Sequence, residues 1–287
     1  MASLITAGVP QGAVLSPTLF SIFINDIPKT DLKNISNSLL FADDLSSFFI
    51  YKSFNSKVKN LISKHLRALE EWLCKWRLSM APSKCNFILF SRLKKSAEEE
   101  KFEPKLFGEN ICSSLFVNFL GIRFDSKLTF SEQVSYLKES CTKRLNILKI
   151  LSNKSWNINK VTLVKIYILL IRSILDYSSI ISSNLNQNLK SQLQTIQNSS
   201  LKIIFKKPFN YNTIDLHKLA NIDLLDKRFS QLNKRFIFRN IINKNQLIID
   251  TVLEFLNYSG ARNIKLSTPL CSIKQDLSNF FSSFKPP

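Results

Sequence analysis

A chain of 287 residues that is 45% hydrophobic and carries 23 phenylalanines can bury a sizeable core and divide into about two domains. Its 5 glycines are too few for a glycine-rich dinucleotide cradle or a regularly punctuated solenoid, and no internal repeat is visible. A formal charge of +19 asks for a polyanionic partner, because each contacted phosphate releases counterions and rewards another Lys or Arg.

Nucleic acid fits that charge better than an anionic membrane, which would need a basic amphipathic helix beside an apolar anchor. The most apolar stretch, residues 161–181, contains Lys165, Arg172 and Asp176 and reads as a buried helix, not a bilayer span. Residues 1–10 lack a charged segment followed by an apolar core, so no signal peptide is expected and the location should be intracellular, cytoplasm or nucleus. Cys74, Cys85, Cys112, Cys141 and Cys271 are odd in number and widely spaced, which suits free thiols better than a zinc site or a disulfide framework.

In chain order, residues 8–17 (GVPQGAVLSP) form a loop whose glycines permit close approach to the backbone, followed by a helix start at Ser16 and Pro17, with Ser16 as the expected cap. Leu19, Phe20, Phe23 and Ile24 then share a helical face. Residues 38–50 (SLLFADDLSSFFI) place apolar runs on both sides of Asp43 and Asp44, a β-hairpin with an acidic tip. Residues 60–78 repeat apolar positions at helical spacing, with Trp72 and Trp76 on one face, where core packing is the natural use. After Pro82, residues 86–90 read as a strand, 94–101 as a solvated loop and 116–124 as a strand pair turning near Gly121. From Ser131 onward the pattern is helical, with 23 Lys or Arg against 9 Asp or Glu, a net of +14. Residues 188–205 show the periodicity well. Lys206, Lys207, Lys234 and Arg235 could follow a phosphate backbone, although such runs are usually solvated surface.

Adjacent carboxylates crowded onto a tight turn are costly unless a cation or solvent offsets their repulsion, yet an Asp-Asp turn is most often only a solvated turn. The surrounding blocks are more specific. The order GVPQGAVLSPTLFSIFIND, FADD, WLCKWRLSMAPSKCNFILFS and FLGIRFDSKLTFSEQV resembles the reverse transcriptases of non-LTR retrotransposons, especially jockey-like elements. LQTIQNSSLKIIFKKP and the later Leu216-His217 are similar, more loosely, to the region that follows in the same elements.

The resemblance implies an α+β fold: a partial polymerase palm over residues 1–130, then an all-α, basic, thumb-like extension over 131–287. It implies that Gly8, Pro10, Gln11 and Gly12 shape a nucleotide and template pocket. Asp43 would be a Mg2+ ligand and Asp44 a nearby second carboxylate, since two Mg2+ ions can activate a primer 3′ oxygen and stabilise the leaving pyrophosphate. Lys84 would assist the leaving group, and Phe119, Leu120 and Gly121 would form a primer grip. The implied partners are an RNA template, a DNA primer and a dNTP. Members of this family carry a further aspartate on a strand before the PQG block, and residues 1–7 contain no Asp or Glu. The expectation is therefore a truncated RNA-directed DNA polymerase, inactive alone. A non-catalytic basic nucleic-acid-binding module and a maturase-like protein are the alternatives.

Overall fold

The computed structural model describes residues 8–28, 36–51, 53–91, 102–257, 270 and 274–283, so the expected loop at 94–101 and Cys271 lie outside the described residues. The chain divides into two compact units, Met1–Val117 and Asn118–Pro287. Helices and small sheets are mixed, as an α+β chain requires, and every regular element described after Ser131 is helical.

In the first unit, α1 (Ser16–Phe23) is followed by the antiparallel hairpin β1 (Ser36–Phe41) and β2 (Asp44–Phe49), then by α2 (Ser56–Lys75). Asn55 starts α2 by accepting from the Val58 N–H at 3.2 Å. The helical face read from the sequence is buried: Ile62, Leu69, Trp72 and Leu73 leave water, each a gain of roughly 2 kcal/mol. Onto Leu69, Trp72 and Leu73 pack Phe20 and Phe23 of α1, Ile24 at its C-cap, Leu45 of β2, and Leu78 and Met80 from the segment after α2. One cluster thus gathers three blocks that are far apart in sequence.

The expected strand over 86–90 shrinks to β3 (Asn86–Phe87), because its parallel partner β6 (Cys112–Ser113) offers only two residues to pair with. Between them lies a small hairpin, β4 (Lys105–Leu106) and β5 (Glu109–Asn110), whose turn is held to α2 by the Glu70 carboxylate accepting from the Phe107 N–H. The strand pair near Gly121 is present as β7 (Phe116–Phe119) and β8 (Ile122–Asp125).

In the second unit, α3 (Ser131–Leu151), α4 (Lys160–Tyr167) and α7 (Gln187–Phe205) enclose the main core around Leu148, Leu163, Tyr167, Leu193 and Leu201. The apolar run 161–181 is not one continuous helix. After α4 it passes through a π-helical turn at Ile168–Arg172 into the short α5 (Ser173–Tyr177) and α6 (Ser179–Ser182). Helices α8 (Thr213–Ala220) and α9 (Leu225–Ile242) follow. A second, smaller core joins Ile237 and Ile241 of α9 to Val252 of α10 (Gln246–Asn257) and Leu277 of α11 (Lys274–Ser283).

The block LQTIQN has a structural account. Gln197 is fully buried on α7, accepts from the Tyr167 hydroxyl at 2.8 Å and donates to the Asp223 carbonyl at 2.8 Å. Gln194 accepts from the Leu225 N–H at 2.9 Å. His217 Nδ1 lies 2.9 Å from the Ile222 carbonyl and Nε2 lies 2.9 Å from Asn198 Oδ1. These side chains hydrogen-bond backbone groups of the partly buried α8–α9 connection.

Candidate active site

The 8–17 loop is a tight turn in which the Ala13 N–H donates to the Pro10 carbonyl at 3.3 Å, with Gln11 and Gly12 at its centre. Gly12 has φ +87°, the left-handed value that the third position of such a turn favours. No atom lies within 4 Å of a Cβ built there, so backbone conformation and not space selects the glycine. Pro10, Gln11 and Gly12 are exposed. The expected cap is corrected: Leu15 occupies the N-cap position, and Ser16 is the first helical residue. Its hydroxyl donates to the Pro10 carbonyl at 2.5 Å, fastening the loop to α1 instead of capping the helix amides.

The hairpin register pairs Phe41 with Asp44, leaving Ala42 and Asp43 as a two-residue turn. Ala42 has φ 51°, a conformation that costs a residue with a Cβ about 1 kcal/mol. Such strain persists only where surrounding structure fixes it, and it concentrates at functional sites. Asp43 and Asp44 are exposed, and among the described residues neither carboxylate has a hydrogen bond or ion pair. Two unengaged hard-oxygen donors suit a divalent cation such as Mg2+. Among the described residues no three His, Cys, Asp or Glu side chains converge on a metal position.

The hairpin is fastened to α2 from behind. Ser47 Oγ lies 2.9 Å from His65 Nε2 and 3.1 Å from Ser38 Oγ, and the Phe49 ring meets the His65 ring edge-on at 5.6 Å. Burial holds the His65 imidazole below its ordinary pKa. The folded chain therefore holds the neutral ring to lower pH than the unfolded chain, which takes up a proton below about 6.5. Its contribution to stability is complete above that value and is lost as pH falls from there toward the lowered folded pKa. In an NMR titration the His65 ring protons should show a midpoint below that of a free imidazole; a normal or raised midpoint would contradict the burial of the ring.

Asp26 was not singled out by its sequence pattern. Its carboxylate accepts from both indoles, Trp72 Nε1 at 3.0 Å and Trp76 Nε1 at 3.2 Å, and so ties the end of α1 to α2. The available signal was an acid just past a helix end and two tryptophans four apart. Lys84 closes a 3-10 turn, Pro82–Lys84, and is exposed. The core under α2 draws together the helix behind the Pro10–Gly12 loop, the Asp43–Asp44 hairpin, and the Leu78 and Met80 segment leading to Lys84.

Phe119, Leu120 and Gly121 belong to the second unit. Leu120 and Gly121 have φ 48° and 76°, two left-handed residues in a row as in the tightest hairpin turns. The Tyr177 hydroxyl donates to the Leu120 carbonyl at 2.6 Å, and a Cβ on Gly121 would sit 3.6 Å from the Tyr177 ring. Just beyond, Asp125 accepts from the N–H groups of Lys127, Thr129 and Phe130 and from the Thr129 hydroxyl, organising the turn into α3. Burial works to raise its pKa, but these hydrogen bonds together hold it below the usual range.

Residues 2–124 match the family described as reverse transcriptase (RNA-dependent DNA polymerase), a span that contains the loop, both aspartates, Lys84 and the Leu120–Gly121 turn. Among curated proteins, the chain is 25% identical over 235 residues to a probable RNA-directed DNA polymerase from transposon BS of Drosophila melanogaster, covering 80% of this chain and 26% of that protein. It is 24% identical over 254 residues to the RNA-directed DNA polymerase from mobile element jockey of the same fly, covering 85% and 26%. The corresponding jockey protein of Drosophila funebris is 26% identical over 251 residues, again covering 85% and 26%. The chain thus spans about a quarter of the length of these relatives. No solved structure matches. The blocks around the loop and the acidic hairpin, the family match across them and the similarity that continues into the helical unit make this chain similar to the reverse transcriptases of non-LTR, jockey-like mobile elements.

Proposed function

We propose that residues 1–130 are a partial polymerase palm, that 131–287 are a basic, thumb-like helical extension, and that together they serve RNA-directed DNA synthesis. The reading rests chiefly on the strained Ala42–Asp43 turn, which presents two carboxylates that have no partner among the described residues, from a hairpin anchored to α2. The Pro10–Gly12 loop, fixed by Ser16, would shape the pocket for a dNTP and the template base, with Gly8 giving the chain its approach. Asp43 and Asp44 would hold Mg2+, which when bound supplies Lewis-acid polarisation of the primer 3′ oxygen and the leaving pyrophosphate. Exposed Lys84 would offer its ammonium to the departing phosphate. Phe119, Leu120 and Gly121 would hold the primer end, with the Tyr177 hydroxyl fixing the turn.

Two carboxylates are a partial ligand set for a two-ion site. The 287 residues alone are therefore expected not to extend a primer on an RNA template. Joined to fingers and a first palm strand from a related element, they should gain Mg2+-dependent synthesis. Robust extension by the chain alone would overturn the inactive-fragment reading. Tight nucleic-acid binding with no synthesis, even in the fusion, would favour a non-catalytic binding module derived from the same ancestry.

A further inference from the structure

The second unit carries an aromatic and basic feature that the proposed polymerase site does not use. Helix α7 ends at Phe205, and Lys206 turns the chain out of it in the left-handed region, with φ 51° and ψ 46°. The Lys207 N–H closes back on the Lys202 carbonyl at 3.0 Å. A tight turn follows, in which the Tyr211 N–H donates to the Pro208 carbonyl at 3.1 Å. Asn212 then caps α8, its side chain accepting from the Ile214 N–H at 2.8 Å. The loop is fixed at both ends and across its middle.

On this frame Tyr211 is half-buried against the core, while Phe209 is 93% exposed. A single exposed apolar residue is ordinary. Here the ring is also surrounded by positive charge. The Lys202 ammonium donates to the Phe209 carbonyl and lies 5.2 Å from the centre of its ring. The Lys207 ammonium lies 4.6 Å from the centre of the Tyr211 ring. Lys206 is exposed, and among the described residues none of Lys202, Lys206 and Lys207 meets a carboxylate. An ordered, solvent-facing aromatic ring amid uncompensated cations is what an unpaired base and its flanking phosphates require. A duplex hides its base faces within the stack and offers that ring nothing.

We propose that the 206–211 loop is a stacking site for single-stranded nucleic acid, with Phe209 receiving an unpaired base and Lys202, Lys206 and Lys207 following the phosphates. The inference rests on the nucleic-acid reading given above and adds to it a strand state and a place. Unpaired RNA and unpaired DNA present the same chemistry to this loop, so both are probed.

The test is fluorescence anisotropy of the full 287-residue chain with labelled oligouridine, oligothymidine and a DNA duplex across a salt series. Replacing an exposed ring leaves the fold intact, which circular dichroism verifies. Phe209→Ala should weaken single-strand binding about tenfold or more, with little effect on duplex binding and no change in the salt slope. Phe209→Trp should restore it. Lys206→Gln with Lys207→Gln should instead flatten the salt dependence on all three probes. A preference between oligouridine and oligothymidine that disappears in Phe209→Ala would assign the loop to RNA or to DNA. Wild-type affinity for both single strands in Phe209→Ala, or an equal loss on the duplex, would overturn the stacking site while leaving nucleic-acid binding in place. Failure of the wild-type chain to bind any of the three probes would overturn both.

Discussion

Asp43→Asn, in the chain joined to fingers and a first palm strand, should lower Mg2+-dependent primer extension by about a thousandfold or more, the scale on which charge-stabilising groups at reacting centres act. The substitution keeps shape and removes charge. Asp43 occupies the second position of a two-residue turn, is exposed and has no side-chain partner among the described residues, so folding should be undisturbed. Asn is in any case a favoured turn residue. Thermal unfolding should therefore coincide with that of the unsubstituted fusion, separating a catalytic loss from a structural one. Lys84→Ala should slow incorporation by about a hundredfold at most, because a group that only assists departure leaves the remaining chemistry in place. A fusion indifferent to Asp43→Asn would remove the metal assignment altogether.

Asp176→Ala should produce the largest loss of stability among single substitutions in the second unit, about 3–5 kcal/mol. Asp176 Oδ2 accepts from Arg228 Nε at 3.2 Å and Nη2 at 2.8 Å, and Oδ1 faces Arg172 Nε at 3.9 Å. Arg172 is buried on the π-helical turn, and among the described residues its Nε has no hydrogen-bond partner. One carboxylate thus offsets two guanidinium groups, and it joins α5 to α9 across 52 positions of sequence. Its removal would leave a buried cation uncompensated beside a second one. Arg228→Ala should cost less, since Arg172 and Asp176 remain as a pair. Urea unfolding followed by circular dichroism measures both, and a smaller loss for Asp176→Ala than for Arg228→Ala would reverse the argument.

Much of the architecture was legible because periodicity reports burial. The α2 face, the acidic hairpin, the turn near Gly121 and the helical character after Ser131 all follow from where apolar residues repeat. Features that depend on distant partners were not legible. Asp26 reads as an ordinary acid until Trp72 and Trp76, some fifty residues later, are brought to it. The π-helical turn at Ile168–Arg172 leaves no mark in an apolar run, because periodicity cannot resolve one inserted residue. Ser16 and Pro17 form a familiar helix start, yet the Ser16 hydroxyl turns to the Pro10 carbonyl, a choice made by the preceding loop. At the candidate site, Asp43 and Asp44 were marked by a motif and their turn by alternation, whereas the contact of Ser47 with His65 lies in the tertiary fold. The LQTIQN block was visible as a family likeness, and its physical content, amides bonded to the backbone of a partly buried connection, emerges only when α7, α8 and the segment before α9 are in place.

The shared acceptor of the Trp72 and Trp76 indoles has an optical consequence. The chain has three tryptophans, of which Trp72 and Trp76 sit against one carboxylate in the first unit while Trp156 lies 58% exposed in the second. Intrinsic emission therefore sorts by unit: one buried and one half-buried fluorophore beside a fixed negative charge, and a mostly exposed one emitting further to the red. Iodide, repelled by Asp26 and obstructed by the core, should reach Trp156 first. The two halves of the chain thus carry separate native reporters, readable without any added label.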